Sequence, residues 1–369
     1  MDSLPVELLE AIVQDISPGH TLLQARLLNR TFCAMVTPLA FKRVNVTNTP
    51  ESAEAFSNIV RSKTLACLVQ EIFFREAYSV SKEEGLEALE NSLTSSFSYL
   101  RRLPLIKCLS QFYSPSPWAL QMAILRGISV QLPLATLTSL TINGLFAYHG
   151  PQYDTPDFQN LFRGLDAIRI SPSWGLEPPP PHIRPSFVFF WEHTMQLRVL
   201  SPLASFSRSL TSFTLHSNLD VGVVPRVDFS QLDFPALASL SLQMILFNEE
   251  THVEDFIVRH KLTLKSLHLA QCHIASYSVL EGPPQVWSQI WTHFADELEA
   301  LVQLSVEPGH NANQVRPHHS SYVHLDERAG HSYLRVDEKT SAEDDMAERM
   351  FHEVVRSRRH KLTSQEYMV

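Results

Sequence analysis

The sequence predicts an α/β fold in which a small N-terminal bundle of three helices precedes an irregular arc of short parallel strands backed by helices. Three observations lead there. The first forty-odd residues carry apolar stripes at helical spacing, broken by turn residues. The remainder alternates strand-like and helix-like stretches. One short apolar pattern then returns through the second half at near-constant spacing. Composition agrees: 369 residues, 44% hydrophobic and 19% charged, suffice for a large buried core. A net charge of -9 and a pI of about 6.0 argue against nucleic acid as a partner, which would select a basic face. Asp2, Glu7 and Glu10 interrupt the N-terminal apolar residues, so no signal peptide is expected. No apolar run approaches about 18 residues, so no membrane partner is expected either. Cys33, Cys67, Cys108 and Cys272 form no Cys-x-x-Cys pair; reduced thiols and a cytoplasmic or nuclear location are expected, with neither disulfide nor zinc.

Taken in order, Pro5 suits a first helical position, and Leu4, Leu8, Ile12 and Ile16 fall on one stripe with Leu9 and Val13 beside it. Ser17-Pro18-Gly19 stops this helix. A second short helix carries Leu22, Leu23, Leu27 and Leu28. Asn29 caps a third with Phe32, Met35, Val36 and Leu39 on one face, and Pro38 is expected to end or bend it. Three short helices bury little surface alone, so the unit needs the rest of the chain or a partner. Phe41 to Val46 then reads as a strand, Thr49-Pro50-Glu51 opens a helix through Phe56 and Val60, Gln70 to Phe74 is a strand and Glu83 to Leu93 a helix.

The recurring pattern is Leu-x-x-Leu-x-Leu. It reads Leu210, Phe213, Leu215; Leu237, Leu240, Leu242; and Leu264, Leu267, Leu269, with further copies at Leu137, Leu165 and Leu301 and weaker ones at Val69 and at Leu100, Leu103, Leu105. The three best copies begin at 210, 237 and 264, within the roughly 20–29-residue spacing of leucine-rich repeats, and Asn218 and Cys272 stand at the ninth position of two of them. Glu177 to Pro181 is a polyproline loop, a surface spacer or an SH3-type ligand, before an apolar helix near Phe187 to Trp191. From Glu307 to His331 the chain is polar, with His310, His318, His319, His324 and His331; no His-x-x-x-His pair on a clear helix gathers metal ligands, and solvated loop is expected. Ser332 to Val336 adds a last strand. A charged helix runs from Ser341 to about Arg359, its acidic start and basic end matching its own dipole.

No G-x-S-x-G, P-loop, G-x-G-x-x-G or H-E-x-x-H is present, so no catalytic residue and no cofactor are expected. In repeat strands the residues between the apolar ones share the opposite face. That places Ser212, Thr214, His216, Ser239, Ser241, Gln243, Ser266 and His268 in one polar column, extended by Asn143 on one side and Glu307 on the other. It is either a site that hydrogen-bonds an extended client or an ordinary solvated face. His216 and His268 are placed to titrate near neutrality.

The stretch Leu4-Pro5-x-Glu7-Leu8-Leu9-x-x-Ile12, followed by Leu27, Leu28, Arg30 and Phe32, resembles an F-box. The connection Ser17 to His20 is shorter than the family's, and Phe32 stands where a tryptophan is usual. Val227 to Ile274 and Thr31 to Phe41 look like segments of fungal F-box proteins with degenerate leucine-rich repeats. The resemblance implies three regions: an adaptor-binding module at 1–42, a repeat domain at 43–306, and a polar loop with a capping helix at 307–369. It implies a non-enzymatic substrate receptor of an SCF-type ubiquitin ligase, binding a Skp-type adaptor and an unidentified client protein. Leu4, Pro5, Leu8, Leu9, Ile12, Leu28 and Phe32 would meet the adaptor. The alternative is a non-catalytic repeat scaffold whose F-box-like start is structural or acts outside a ligase.

Overall fold

The protein is a mixed α/β structure with a mostly parallel sheet, seen here in a computed structural model. It describes residues 6–15, 20–75, 86–112, 118–129, 136–174, 184–276, 285–307, 321–326, 330–334 and 336–366. Leu4, Pro5, the polyproline stretch, and the His310, His318 and His319 positions lie outside the described residues, as does the His331 side chain. Two compact units divide the chain, Met1–Thr141 and Ile142–Val369, with the division inside one strand.

The first unit opens with α1 (Val6–Asp15), α2 (His20–Ala25) and α3 (Arg30–Lys42). Asn29 caps α3 as its sequence position suggests, its Oδ1 accepting from Phe32 N at 2.9 Å. Pro38 does not end α3, which continues to Lys42. The carbonyl that loses its partner belongs to Ala34, an exposed residue open to solvent, while buried Phe32 and Val36 hold the helix in place. Next come β1 (Arg43–Thr47), α4 (Pro50–Arg61), α5 (Lys63–Ala66), β2 (Glu71–Arg75), α6 (Leu86–Phe97), β3 (Cys108–Phe112) and α7 (Trp118–Ser129). Strands β1, β2 and β3 are parallel, with Val44, Ile72 and Leu109 in register and buried. Phe56, Phe74 and Phe97 pack behind them, the Phe56–Phe97 centroids 5.2 Å apart. At Gly127 a Cβ would stand 2.7 Å from Thr94 O, so only glycine allows α7 this close to α6. Leu100, Leu103 and Leu105 were expected to form a repeat strand and do not. Leu100–Arg102 is a tight 3-10 turn, Leu105 is exposed, and Pro104 has no N–H for a ladder, so the strand begins later at Cys108.

The strand β4 (Ser139–Phe146) crosses the division between the units. In the second unit follow α8 (Pro156–Gln159), β5 (Ala167–Ser173), α9 (Arg184–Phe189) continued as a π-helix (Phe190–Leu200) and by α10 (Ser201–Phe206), then β6 (Ser212–Val221), β7 (Ser239–Phe247), α11 (Val253–Arg259), β8 (Ser266–Ala270) and β9 (His273–Ser276). Then come α12 (Trp287–Glu297), β10 (Gln303–Glu307), β11 (Ser321–Asp326), β12 (Gly330–Leu334) and α13 (Glu338–Glu366). The leucine triplets behave as their spacing suggests. Leu210, Phe213, Leu215, Leu237, Leu240, Leu242, Leu264, Leu267 and Leu269 are all buried, and the residues between them in the strands are not. Cys272 Sγ reaches Leu242 O in the preceding strand at 3.7 Å, and Asn218 Oδ1 accepts from Trp174 N at 3.3 Å, so both ninth-position residues fasten one repeat to its neighbour.

The order is β4-β5-β6-β7, after which the sheet forks. Residues 239–243 of β7 pair with β8, which pairs with β10; Leu246 and Phe247 pair instead with β9. A left-handed residue produces the fork. Gly144, Met244 and Gln271 all have positive φ (71°, 57° and 52°), each five residues after its strand begins, and each bends the backbone at the same step of the repeat. Strand β9 leads to β11 and its antiparallel partner β12. Residues 321–326 therefore form a strand and not the solvated loop expected, with Tyr322, Val323 and Leu325 buried; a high histidine count hid an alternating pattern.

Helix α12 has no side-chain cap of its own, and α13 supplies one at each end. Asp344 Oδ1 accepts from Ser288 N at 2.7 Å, and its Oδ2 accepts from Tyr322 Oη (2.6 Å), which itself accepts from Trp287 N at 3.0 Å. At the other end, Arg358 donates to Leu298 O and Ala295 O, both at 2.7 Å. Arg358 thus complements the C-terminal end of α12, and α13 itself continues past its basic residues to Glu366. Trp287 and Trp291 stack at 4.7 Å, and Phe351 of α13 stacks on Trp291.

Candidate functional site

Two surfaces stand out. The first is on α1, α2 and α3. Their core comprises Leu9, Val13, Leu22, Ala25, Phe32 and Val36, packed against half-buried Met35 and Ala40. Arg26 ties the second helix to the third, donating from Nε to Thr37 Oγ1 at 3.0 Å and lying 4.8 Å from the Phe41 ring centre. Outside that core Leu8, Ile12, Leu23, Leu27, Leu28 and Leu39 are 42–85% exposed. Leu8 and Ile12 share one face of α1, being one turn apart, whereas Leu27 and Leu28 stand on the turn that follows α2.

Of the residues expected to meet an adaptor, Leu8, Ile12 and Leu28 are at the surface. Leu9 and Phe32 are not; both are only 4% exposed, because they fill the module's own core. Leu23, Leu27 and Leu39 join the surface instead. The density of leucine in Leu22, Leu23, Leu27 and Leu28, more than one short helix can bury, was the signal for Leu23 and Leu27.

The second surface is the polar column of the second unit. Parallel register aligns Ser212, Ser239, Ser266 and Gln303 in one row, and Arg169, Thr214, Ser241, His268 and Ser305 in the next. His216, Gln243, Ala270 and Glu307 form a third. All eight expected residues are half-buried and lie on one face.

Their side chains are linked in a way that strand spacing alone does not reveal. Arg169 Nε donates to Asn143 Oδ1 at 3.2 Å, and its Nη2 stands 3.5 Å from His216 Nδ1. His216 Nε2 is 2.8 Å from Ser241 Oγ, which is 3.0 Å from His268 Nδ1. His268 Nε2 lies 3.2 Å from Glu307 Oε1. The ends set the direction of every proton. A guanidinium only donates, so His216 Nδ1 accepts and its Nε2–H donates to Ser241; the serine proton goes to His268 Nδ1, leaving His268 Nε2–H facing the carboxylate. Burial, then the charges of Arg169 and His268, push His216 down to about 4, which keeps it neutral at pH 7. His216 is therefore not the neutral-range titrating group its sequence position suggested.

Arg169 was not among the expected residues. Its place between buried Ile168 and Ile170 in β5 carried the alternation signal. The relay offers a recognition surface more readily than a reaction centre. Ser241 is engaged on both sides by imidazoles, and open hydrogen-bonding capacity remains mainly at the exposed ends, Arg169 and Glu307.

Among the described residues, no group of three or more His, Cys, Asp or Glu is arranged to hold a metal ion, and no helix is long and apolar enough to cross a membrane. No family model matches the chain, and no curated protein matches it.

Proposed function

We propose that the protein is the substrate-recognition subunit of an SCF-type (cullin-RING) ubiquitin ligase. The three-helix module docks on a Skp-type adaptor as an F-box does, and the polar strand face of a leucine-rich-repeat-like domain holds a client protein. The mechanism is proximity: the chemistry belongs to other subunits, and this chain raises the client's effective concentration beside them. One observation carries the reading. Among the described residues of this unit of about forty, six large aliphatic side chains are at the surface, against a core of six residues that includes an alanine. Exposed apolar clusters of this kind mark interaction sites. Completing their burial at about 1.5 kcal/mol each gives roughly 9 kcal/mol gross, against about 4–15 kcal/mol for association, which suits a reversible complex.

Co-purification with the adaptor tests it. Leu8→Asp with Leu28→Asp alters exposed positions only, so the fold is kept and adaptor retention should be lost. Wild-type protein that retains no adaptor, or a double variant that retains it fully, defeats the proposal. Adaptor binding without ubiquitination of any captured client would instead identify a scaffold.

A further inference from the structure

The first unit contains a cavity that the ligase reading does not use. It has a volume of about 400 Å3 and lies between the end of α4, the short α5 and the turn at Leu100–Arg102. Arg61, Lys63 and Arg102 line it over a floor that includes Val60 and Ala66, and no carboxylate lines it. In a chain of net charge -9, three cations gathered without an anion are unexpected. Among the described residues none of the three heads has an ion-pair or hydrogen-bond partner. The two guanidiniums are placed by an aromatic ring instead: Arg61 and Arg102 lie 5.7 and 4.8 Å from the centre of Tyr99. Stacking of this kind fixes a guanidinium while leaving its in-plane N–H donors unused.

We propose that this cavity binds a phosphomonoester or diphosphate group, held by Arg61, Lys63 and Arg102. Like charges brought together raise one another's energy, and a multiply charged anion relieves all three at once, whereas a single carboxylate leaves most of the charge unmatched. Two fork-shaped donors suit the several oxygens of a tetrahedral phosphate. The volume falls in the range of small-ligand sites, about 300–1,000 Å3. The same chemistry arrives either on a free phosphorylated metabolite or on a phosphorylated side chain.

Cys67, an exposed free thiol, also lines the cavity and reports its occupancy. In the intact protein, alkylation of Cys67 by the neutral reagent N-ethylmaleimide is followed residue by residue by mass spectrometry. Ionic strength is fixed with potassium chloride. Inorganic pyrophosphate at 5 mM, for a Kd of about 1 mM, should slow Cys67 about sixfold and leave partly buried Cys33 and Cys108 unchanged. The Arg61→Gln/Arg102→Gln variant should lose the protection, and since both positions are exposed the fold is kept. A phosphoserine tripeptide with neutral flanks forms the second arm: stronger protection by the peptide assigns the site to a phosphorylated chain, and by pyrophosphate to a small molecule. Absence of saturable protection by either, or equal protection in the double variant, overturns the proposal.

Discussion

His216 shows how far a single side chain is set by its neighbours. Burial and the nearby charges of Arg169 and His268 take it down to about 4, so its proton count changes between the unfolded value near 6.5 and the folded one. The sign follows: its contribution to stability is present above about 6.5 and is lost as pH falls toward 4, because the unfolded chain takes up the proton first. Imidazole NMR should give a midpoint near 4 for His216, and Arg169→Gln should raise it by removing one of the charges; an unmoved midpoint would leave burial and His268 responsible. The identity of the eight column residues was legible in the sequence, since alternation is a local property. The relay was not. Its links to His216 from Arg169 and Ser241, and the approach of His268 to Glu307, run diagonally between rows and depend on the register and twist of separate strands.

The pairing of α12 with α13 belongs to the next scale. A buried carboxylate sits at one end of α12 and a guanidinium at the other, both from α13. Burial raises Asp344 above its ordinary value, partly offset by the hydrogen bonds from Tyr322 and Ser288. Its proton is therefore held more tightly when folded, and ionising it at neutral pH works against the fold. Replacing the group is still worse, because Ser288 N and the Tyr322 hydroxyl would lose their acceptor inside the protein. Asp344→Ala should lower stability by about 2–3 kcal/mol in denaturant titrations, while Asp344→Asn, which keeps one acceptor, should cost less. Elements were the most legible level of this chain. Strand cores and capped helices announced themselves through burial period and turn residues. The failures have specific causes: Pro104 broke a leucine triplet, histidines masked β11, and Arg358 caps α12 while α13 runs on past its basic residues.

For the molecule as a whole, the proposed division of labour predicts separable losses. Leu8→Asp/Leu28→Asp should abolish adaptor capture and increase recovery of intact client, because turnover stops. Arg169→Glu, at an open end of the relay, should leave the adaptor bound and reduce client recovery. Quantitative mass spectrometry of material captured on each variant reads both effects, and a variant that lost both partners would deny that the surfaces act independently. The sequence suggests breaks near 42 and 306; the chain also divides into two compact units after Thr141, within a strand whose pattern runs through without interruption.

The two-ended hold of α13 on α12 also sets a timetable. Ser288 and Asp344 are 56 residues apart, so α12 leaves the ribosome well before the carboxylate that caps it exists. At about 5–20 residues per second, that interval lasts roughly 3–11 s. Throughout it, Trp291 lies uncovered by Phe351, and the nascent chain is open to chaperones at this place.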